Sequence, residues 1–236
     1  MLIECANMSE EKRKRKGYFK KYLFYDIHKV LCLWLWELYY RPKKILISKD
    51  AKKYIKGGAL VCLNHQSPAD VPCIQVINPF RRNHIIAGEI AFRSKIGSFF
   101  LKLLLAIPIN RDAFSYGQFR DIVNLLKDGR VVNIFCEGHM NLVPHTIDEV
   151  KEGPILMALT AKVPLVPVYI LPKQSRFERL RLGYGEPIYL DKLGYGKHDL
   201  KEASIYLHDR LVELMNLVED DYKKTKRFKR RKKDNL

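Results

Sequence analysis

His65 and Asp70 lie five residues apart in the stretch Leu60-Val-Cys-Leu-Asn64-His65-Gln-Ser-Pro-Ala-Asp70. The apolar run predicts a strand that stops at Asn64-His65. A turn centred on Pro68 follows, and Asp70 opens a helix. A strand end and the next helix start lie close in space, so the two side chains can touch. A carboxylate holding one imidazole nitrogen leaves the other free to take a proton from a hydroxyl. The positive end of a helix dipole also favours Asp70 as an anion. This is equipment for acyl transfer without a serine or cysteine nucleophile. The same spacing also fits a surface-loop histidine beside a helix-capping aspartate.

Two further strand ends carry polar residues. Ile107-Pro-Ile-Asn-Arg111-Asp112 delivers a forked guanidinium that suits a phosphate or carboxylate, or an ordinary Arg-Asp surface loop. Val131-Val-Asn-Ile-Phe-Cys-Glu137-Gly138-His139 delivers an acid and a glycine to the strand edge where open α/β sheets bind ligands. A Cys136/His139 nucleophile pair is the weaker reading of this segment, because a half-buried strand cysteine is usually inert. Lys162-Val-Pro-Leu-Val-Pro167-Val-Tyr-Ile170 holds two prolines, which predict an edge or irregular strand shaping an apolar channel.

The elements that must position these residues alternate along the chain. Strands are expected at Ala59–Leu63, His84–Gly88, Ile107–Asn110, Val131–Cys136, Val166–Ile170 and Arg179–Tyr184. Helices are expected at Val71–Ile77, from Ser94 to Leu105, over Phe114–Lys127 with Gly129 ending it, and from Pro154 to Lys162. Leu207, Leu211, Leu214, Met215 and Val218 put one apolar stripe on a last helix. Strands alternating with helices mean an α/β layer fold. No internal repeat is visible.

With 236 residues the chain can bury a full core. A formal net charge of +17 draws it to anionic partners: an acidic membrane face, a phosphorylated substrate or nucleic acid. Five cysteines without a C-x-x-C pair suggest neither a disulfide framework nor a zinc site, and a reducing compartment is expected. No cleavable secretory signal is expected at the start. Val30–Tyr40 is apolar and aromatic, too short to span a bilayer, and flanked by Lys29 and Arg41. It fits a helix lying in the membrane interface, or a buried core helix. The segment from Lys223 to Lys233 is a block of like charge, expected to lack structure in isolation. Together with Lys12–Lys16 it could hold the chain on an anionic leaflet, at about 1 kcal/mol per cation. Three regions follow: 1–45 as basic segment and interface helix, 46–222 as the domain carrying the chemistry, and 223–236 as basic tail.

Taken in order, these pieces resemble the glycerolipid acyltransferase family, whose familiar members are the 1-acylglycerol-3-phosphate (lysophosphatidic acid) acyltransferases. The resemblance runs from about Ala59 to Ile188. Asn64-His65 through Asp70 looks like the family's N-H-x-x-x-x-D block and Ile107–Arg111 like the block ending in Arg. Phe135-Cys136-Glu137-Gly138 looks like F-P-E-G, and Val163-Pro-Leu-Val-Pro167-Val like V-P-I-V-P-V. The resemblance implies a twisted mixed sheet flanked by helices, with an N-terminal interfacial element, associated with the cytoplasmic face of a membrane. It implies His65 as general base and Asp70 as its orienting anion. Backbone amides would hold the oxyanion, and Asn64, Arg111, Glu137 and Gly138 would bind substrate. It implies acyl-CoA or acyl carrier protein as donor, a lyso-glycerolipid as acceptor, and neither cofactor nor metal. Specific nucleic-acid binding is not expected, and a non-catalytic basic membrane- or nucleic-acid-binding module is the competing class. Where the family continues Glu-Gly-Thr-Arg-Ser, this chain reads Glu137-Gly138-His139-Met140-Asn141. Arg81, Arg82, Arg93 and Lys95 are the candidates to replace the missing charge.

Overall fold

The computed structural model describes residues 22–51, 56–110, 115–171 and 178–234, with side chains described as far as Lys226. Arg111, Lys12–Lys16 and the tail side chains beyond Lys226 lie outside the described residues. Helix α1 covers residues 22–40. It is followed by β1 (Lys43–Leu46), β2 (Ala59–Leu63), α2 (Asp70–Ile77), β3 (Asn83–Gly88), a 3-10 turn (Glu89–Phe92) and α3 (Lys95–Leu103). Then come β4 (Ala106–Ile109), α4 (Tyr116–Lys127), β5 (Val131–Phe135), α5 (Glu152–Ala161), β6 (Leu165–Leu171), β7 (Arg181–Tyr184) and α6 (Leu200–Asp234).

The strands form one seven-stranded sheet in the order β1-β7-β6-β2-β5-β3-β4. Five neighbours, from β6 to β4, run parallel, and β7 turns back against β6. The central strand β2 is a continuous apolar run buried along its whole length, as expected of a strand covered on both faces. Its side chains alternate between two cores. Leu60 and Cys62 pack with Ile122 and Leu126 of α4, Ile155 of α5 and Leu211 of α6. Val61 and Leu63 pack with Ile74 and Ile77 of α2 and with Tyr40 of α1. A fully buried Leu or Ile of this kind contributes about 1.5–3 kcal/mol. The stripe Leu207, Leu211, Leu214, Met215 and Val218 is buried against the sheet.

Local signals set the helix ends. Ser94 accepts the Gly97 N–H at the start of α3. Ser115 and Gln118 form a reciprocal capping box on α4.

Three sequence expectations are corrected. Strand β6 is internal, between β7 and β2, despite its prolines. The Pro164 carbonyl accepts from Leu60 on β2, whereas the Pro167 carbonyl accepts from Gly185, beyond the end of β7. The missing Pro167 N–H therefore points away from β2, toward a site where pairing with β7 has already stopped. Helix α5 starts at Glu152, so Pro154 falls in its first turn, where an N–H has no helical partner to lose. Finally, residues 223–234 continue α6 instead of separating from it. Lys and Arg are good helix formers, and cations near a helix C-terminus are favoured by its dipole.

Candidate active site

The parallel strands deliver their C-terminal ends to one edge of the sheet, and the residues singled out above meet there. His65 leaves β2 and Asp70 opens α2. Their contact, His65 Nδ1 to Asp70 Oδ2, is 3.1 Å. The same Asp70 oxygen accepts the main-chain N–H groups of Gln66 and Ser67, each at 2.8 Å. The carboxylate thus organises the whole turn as well as the imidazole. Asp70 is nearly fully buried and the His65 side chain is 12% exposed. With Nδ1–H donating to Asp70, the His65 Nε2 lone pair stays open, and no described residue bonds that atom. The imidazole stacks on Phe135 of β5 with ring centroids 3.9 Å apart, which fixes the ring plane.

Glu137 is fully buried just past β5. Its Oε1 accepts the main-chain N–H of His65 at 3.1 Å, and its Oε2 accepts the Asn141 carboxamide and the Asp148 N–H. Asn141 in turn donates its main-chain N–H to the His65 carbonyl. Glu137 therefore clamps the histidine backbone to the loop that follows β5. That loop is also tied by His139 to Asp148 at 2.8 Å, by His145 to Glu219 of α6 at 2.7 Å, and by Gln66 to the Thr146 carbonyl.

Asn64 is fully buried as well. Its carboxamide donates to the Ile170 carbonyl at 3.0 Å and accepts the Ile170 N–H at 2.7 Å. Neither Asn64 nor Glu137 presents a polar atom to an open surface. Gly138 adopts φ +74°, and a Cβ there would meet the Lys151 side chain at 3.4 Å. The nucleophile reading of Cys136 finds no partner in His139. One ring nitrogen of that histidine faces the Glu137 carbonyl and the other Asp148, while burial pushes the Cys136 thiol up.

The same strand ends carry an apolar cleft of about 350 Å³, walled by Ile86, Ile109 and Ile134 from the sheet and by Pro154 and Met157 of α5. Phe135 and Gly138 also line it, and among the described residues Lys151 is the one charged residue on its wall. Lys151 is not among the candidates read from the sequence. Its place on this wall depends on how α5 docks, which local pattern does not encode. No described residue forms an ion pair with its ammonium. The suggested compensating arginines divide. Arg81 donates to the carbonyls of Gly57 and Gly129, and Arg82 pairs with Asp26. Gly57 and Gly129 precede β2 and β5, so Arg81 is held at the opposite edge of the sheet from His65. Arg93 and Lys95 flank the start of α3, just beyond the end of β3. Among the described residues, no group of His, Cys, Asp and Glu could hold a metal ion.

Comparison with known proteins bears directly on this edge. A family model described as Acyltransferase matches residues 44–171, from β1 to the end of β6. The 1-acyl-sn-glycerol-3-phosphate acyltransferase of Bacillus subtilis (strain 168) is 28% identical over 173 residues, covering 69% of this chain and 84% of that protein. The crystal structure of the 1-acyl-sn-glycerophosphate (LPA) acyltransferase PlsC from Thermotoga maritima has a similar fold, with a TM-score of 0.56 at 19% identity. It covers 86% of this chain and 83% of that one. A match to the family model over more than half of the sequence, joined to the shared mixed α/β fold, makes this chain an enzyme of the glycerolipid acyltransferase family.

Proposed function

We propose that the chain moves a fatty acyl group from the thioester of acyl-CoA or acyl carrier protein to the free hydroxyl of a lyso-glycerolipid. The acceptor is 1-acyl-sn-glycerol-3-phosphate and the product phosphatidic acid. The observation that carries this reading is the His65–Asp70 contact with Nε2 open, at the sheet edge whose strand ends also line an apolar cleft. His65 Nε2 takes the hydroxyl proton as the oxygen attacks the thioester carbonyl, and Asp70 stabilises the imidazolium that forms. The tetrahedral intermediate expels the thiolate, which takes the proton back from His65 and leaves as thiol. Proton transfer by a positioned base of this kind contributes about 10²–10⁴ in rate. The cleft receives acyl chain. Asn64 and Glu137 act as positioning residues, because their polar atoms are already engaged by protein. Lys151, on the cleft wall beside Gly138, is the described cation best situated for the acceptor phosphate.

A lyso-lipid without a terminal phosphate is the second reading, favoured by Met140 in place of the family's arginine. One labelled acyl-CoA offered against a panel of lyso-lipid acceptors, read as thiol release and as labelled product, separates the two. Thiol release that no acceptor stimulates would end both.

The reading includes attachment to a membrane surface. No described helix is long and apolar enough to cross a bilayer. The inner face of α1 is anchored: Tyr25 and Lys29 bond to Gln75, Asn78 and Arg81, and Tyr22 and Tyr40 are buried. Its outer face exposes Phe24, Ile27, Leu31, Trp34 and Leu38 at helical spacing. An apolar stripe facing outward suits the interface of an anionic leaflet on the cytoplasmic face. Replacing Phe24, Leu31 and Trp34 by Gln moves the protein toward the soluble fraction. That test is cleaner than deleting residues 1–40, which would also strip buried Tyr22, Tyr25 and Tyr40 from the core.

A further inference from the structure

Helix α3 lies on the crossover between β3 and β4, and it buries none of its residues. Its main contacts among the described elements are with β4 and the preceding 3-10 turn. Ile90 of that turn is 71% exposed, and Ile96, Phe99 and Phe100 of the helix are 73, 65 and 56% exposed. The rings of Phe99 and Phe100 sit edge to face, with centroids 5.8 Å apart, so they form one patch. Large side chains of this kind, grouped on a helix that no described residue covers, mark a contact surface.

Charge indicates what covers it. Between Gly88 and Leu105 the sequence holds Arg93, Lys95 and Lys102 against the single acid Glu89, on a chain of net charge +17. Aromatic and aliphatic side chains bracketed by cations suit the boundary between headgroups and acyl chains of an anionic leaflet. Position adds a second argument. Gly88 and Ile109, at the ends of the two strands that α3 connects, also line the apolar cleft beside Phe135. The patch therefore belongs to the crossover whose flanking strand ends line the cleft.

We propose that α3 is a second lipid-contacting element, separate from α1, which dips Ile96, Phe99 and Phe100 into an anionic leaflet beside the strand ends that line the cleft. The proposal rests on the membrane reading above. It goes beyond it by assigning contact to an element on the active-site edge, so that the leaflet meets the cleft directly.

The test uses the full chain with vesicles of phosphatidylcholine containing a minor fraction of phosphatidylglycerol. The variant I96Q/F99Q/F100Q is expected to lower vesicle partitioning by about tenfold or more, since three half-exposed or fully exposed apolar side chains lose their lipid contact. Its thermal midpoint is expected to hold, because none of the three is buried. Partitioning equal to that of the wild type would overturn the proposal while leaving the α1 reading standing. A wild-type chain that ignores the vesicles would overturn both. A variant that changes only the sedimentation coefficient of the lipid-free protein would make α3 a contact between copies of this chain, and would also overturn the proposal. A second readout does not depend on the triple variant folding. The two tryptophans, Trp34 and Trp36, both lie in α1. In a W34F/W36F background, F99W fluorescence is expected to be quenched by brominated lipid chains, and an unquenched signal would count against insertion.

Discussion

Glu137 Oε1 accepts the main-chain N–H of His65 across 3.1 Å, so a carboxylate at the end of β5 sets the height of the imidazole at the end of β2. Every donor around Glu137 points at an oxygen. Glu137→Gln places an NH2 group against one of these N–H donors. A buried donor left without an acceptor costs about 1–3 kcal/mol. The expected outcome is a lowered thermal midpoint together with lower kcat, as the loop after β5 and the His65 backbone lose their common anchor. An unchanged midpoint would mean the carboxylate is not the clamp described.

His65→Ala removes the proposed base and only a small buried surface. Acyl-thioester consumption should fall to background while vesicle binding and circular dichroism stay as in the wild type. Asp70→Asn keeps an oxygen for Gln66 and Ser67 but removes the charge that balances the imidazolium. Turnover should fall by about 10²–10⁴, with a much smaller effect on the acceptor KM. Near wild-type turnover in either variant would falsify the mechanism.

Lys151→Met tests the acceptor. Met is close to Lys in volume and lines an apolar cleft well, so the fold should tolerate it. The expected result is a raised KM for 1-acyl-sn-glycerol-3-phosphate with no matching rise for a lyso-lipid that lacks the terminal phosphate. Equal effects on both acceptors would remove Lys151 from phosphate binding and shift weight to Arg93 and Lys95.

Burial pushes the Lys29 ammonium down to about 8, against a smaller upward pull from Asp26. An unfolded lysine titrates at about 10.4. Between those values the unfolded chain holds the proton and the folded chain does not. Stability therefore rises with pH across that window, and below about 8 this group adds no slope. Lys29→Met should lose that rise relative to wild type, as measured by denaturant unfolding at pH 7.5 to 10.5. Parallel curves for the two proteins would show that Lys29 is not held as described.

The strand, turn and helix around His65 and Asp70 were legible because everything that joins the pair lies within a few residues of chain. The distant segments, Glu137 and Phe135, steady the His65 backbone and ring once the local turn has brought the pair together. Glu137 was legible as a polar residue at a strand end, but its burial was not. That burial depends on Asn141 and Asp148 folding back over it, and nothing local announces the fold-back. The prolines of β6 misled for a related reason. Whether a missing N–H matters depends on which neighbour it faces, and only the point where β7 stops answers that. The length of α6 escaped because a run of like charge reads as solvated, whereas the run here extends a helix already anchored by Leu207, Leu214 and Val218. The role suggested for Arg111 falls outside the described residues.

The Asn64 carboxamide mimics a peptide unit. By pairing with both polar groups of Ile170 it lets the hydrogen-bond pattern run one step further than the main chain of β2 does. The main chain of β2 can thereby leave the ladder at His65 while both polar groups of Ile170 keep partners. A hydrocarbon residue at position 64 would leave the N–H and carbonyl of Ile170 facing it without partners.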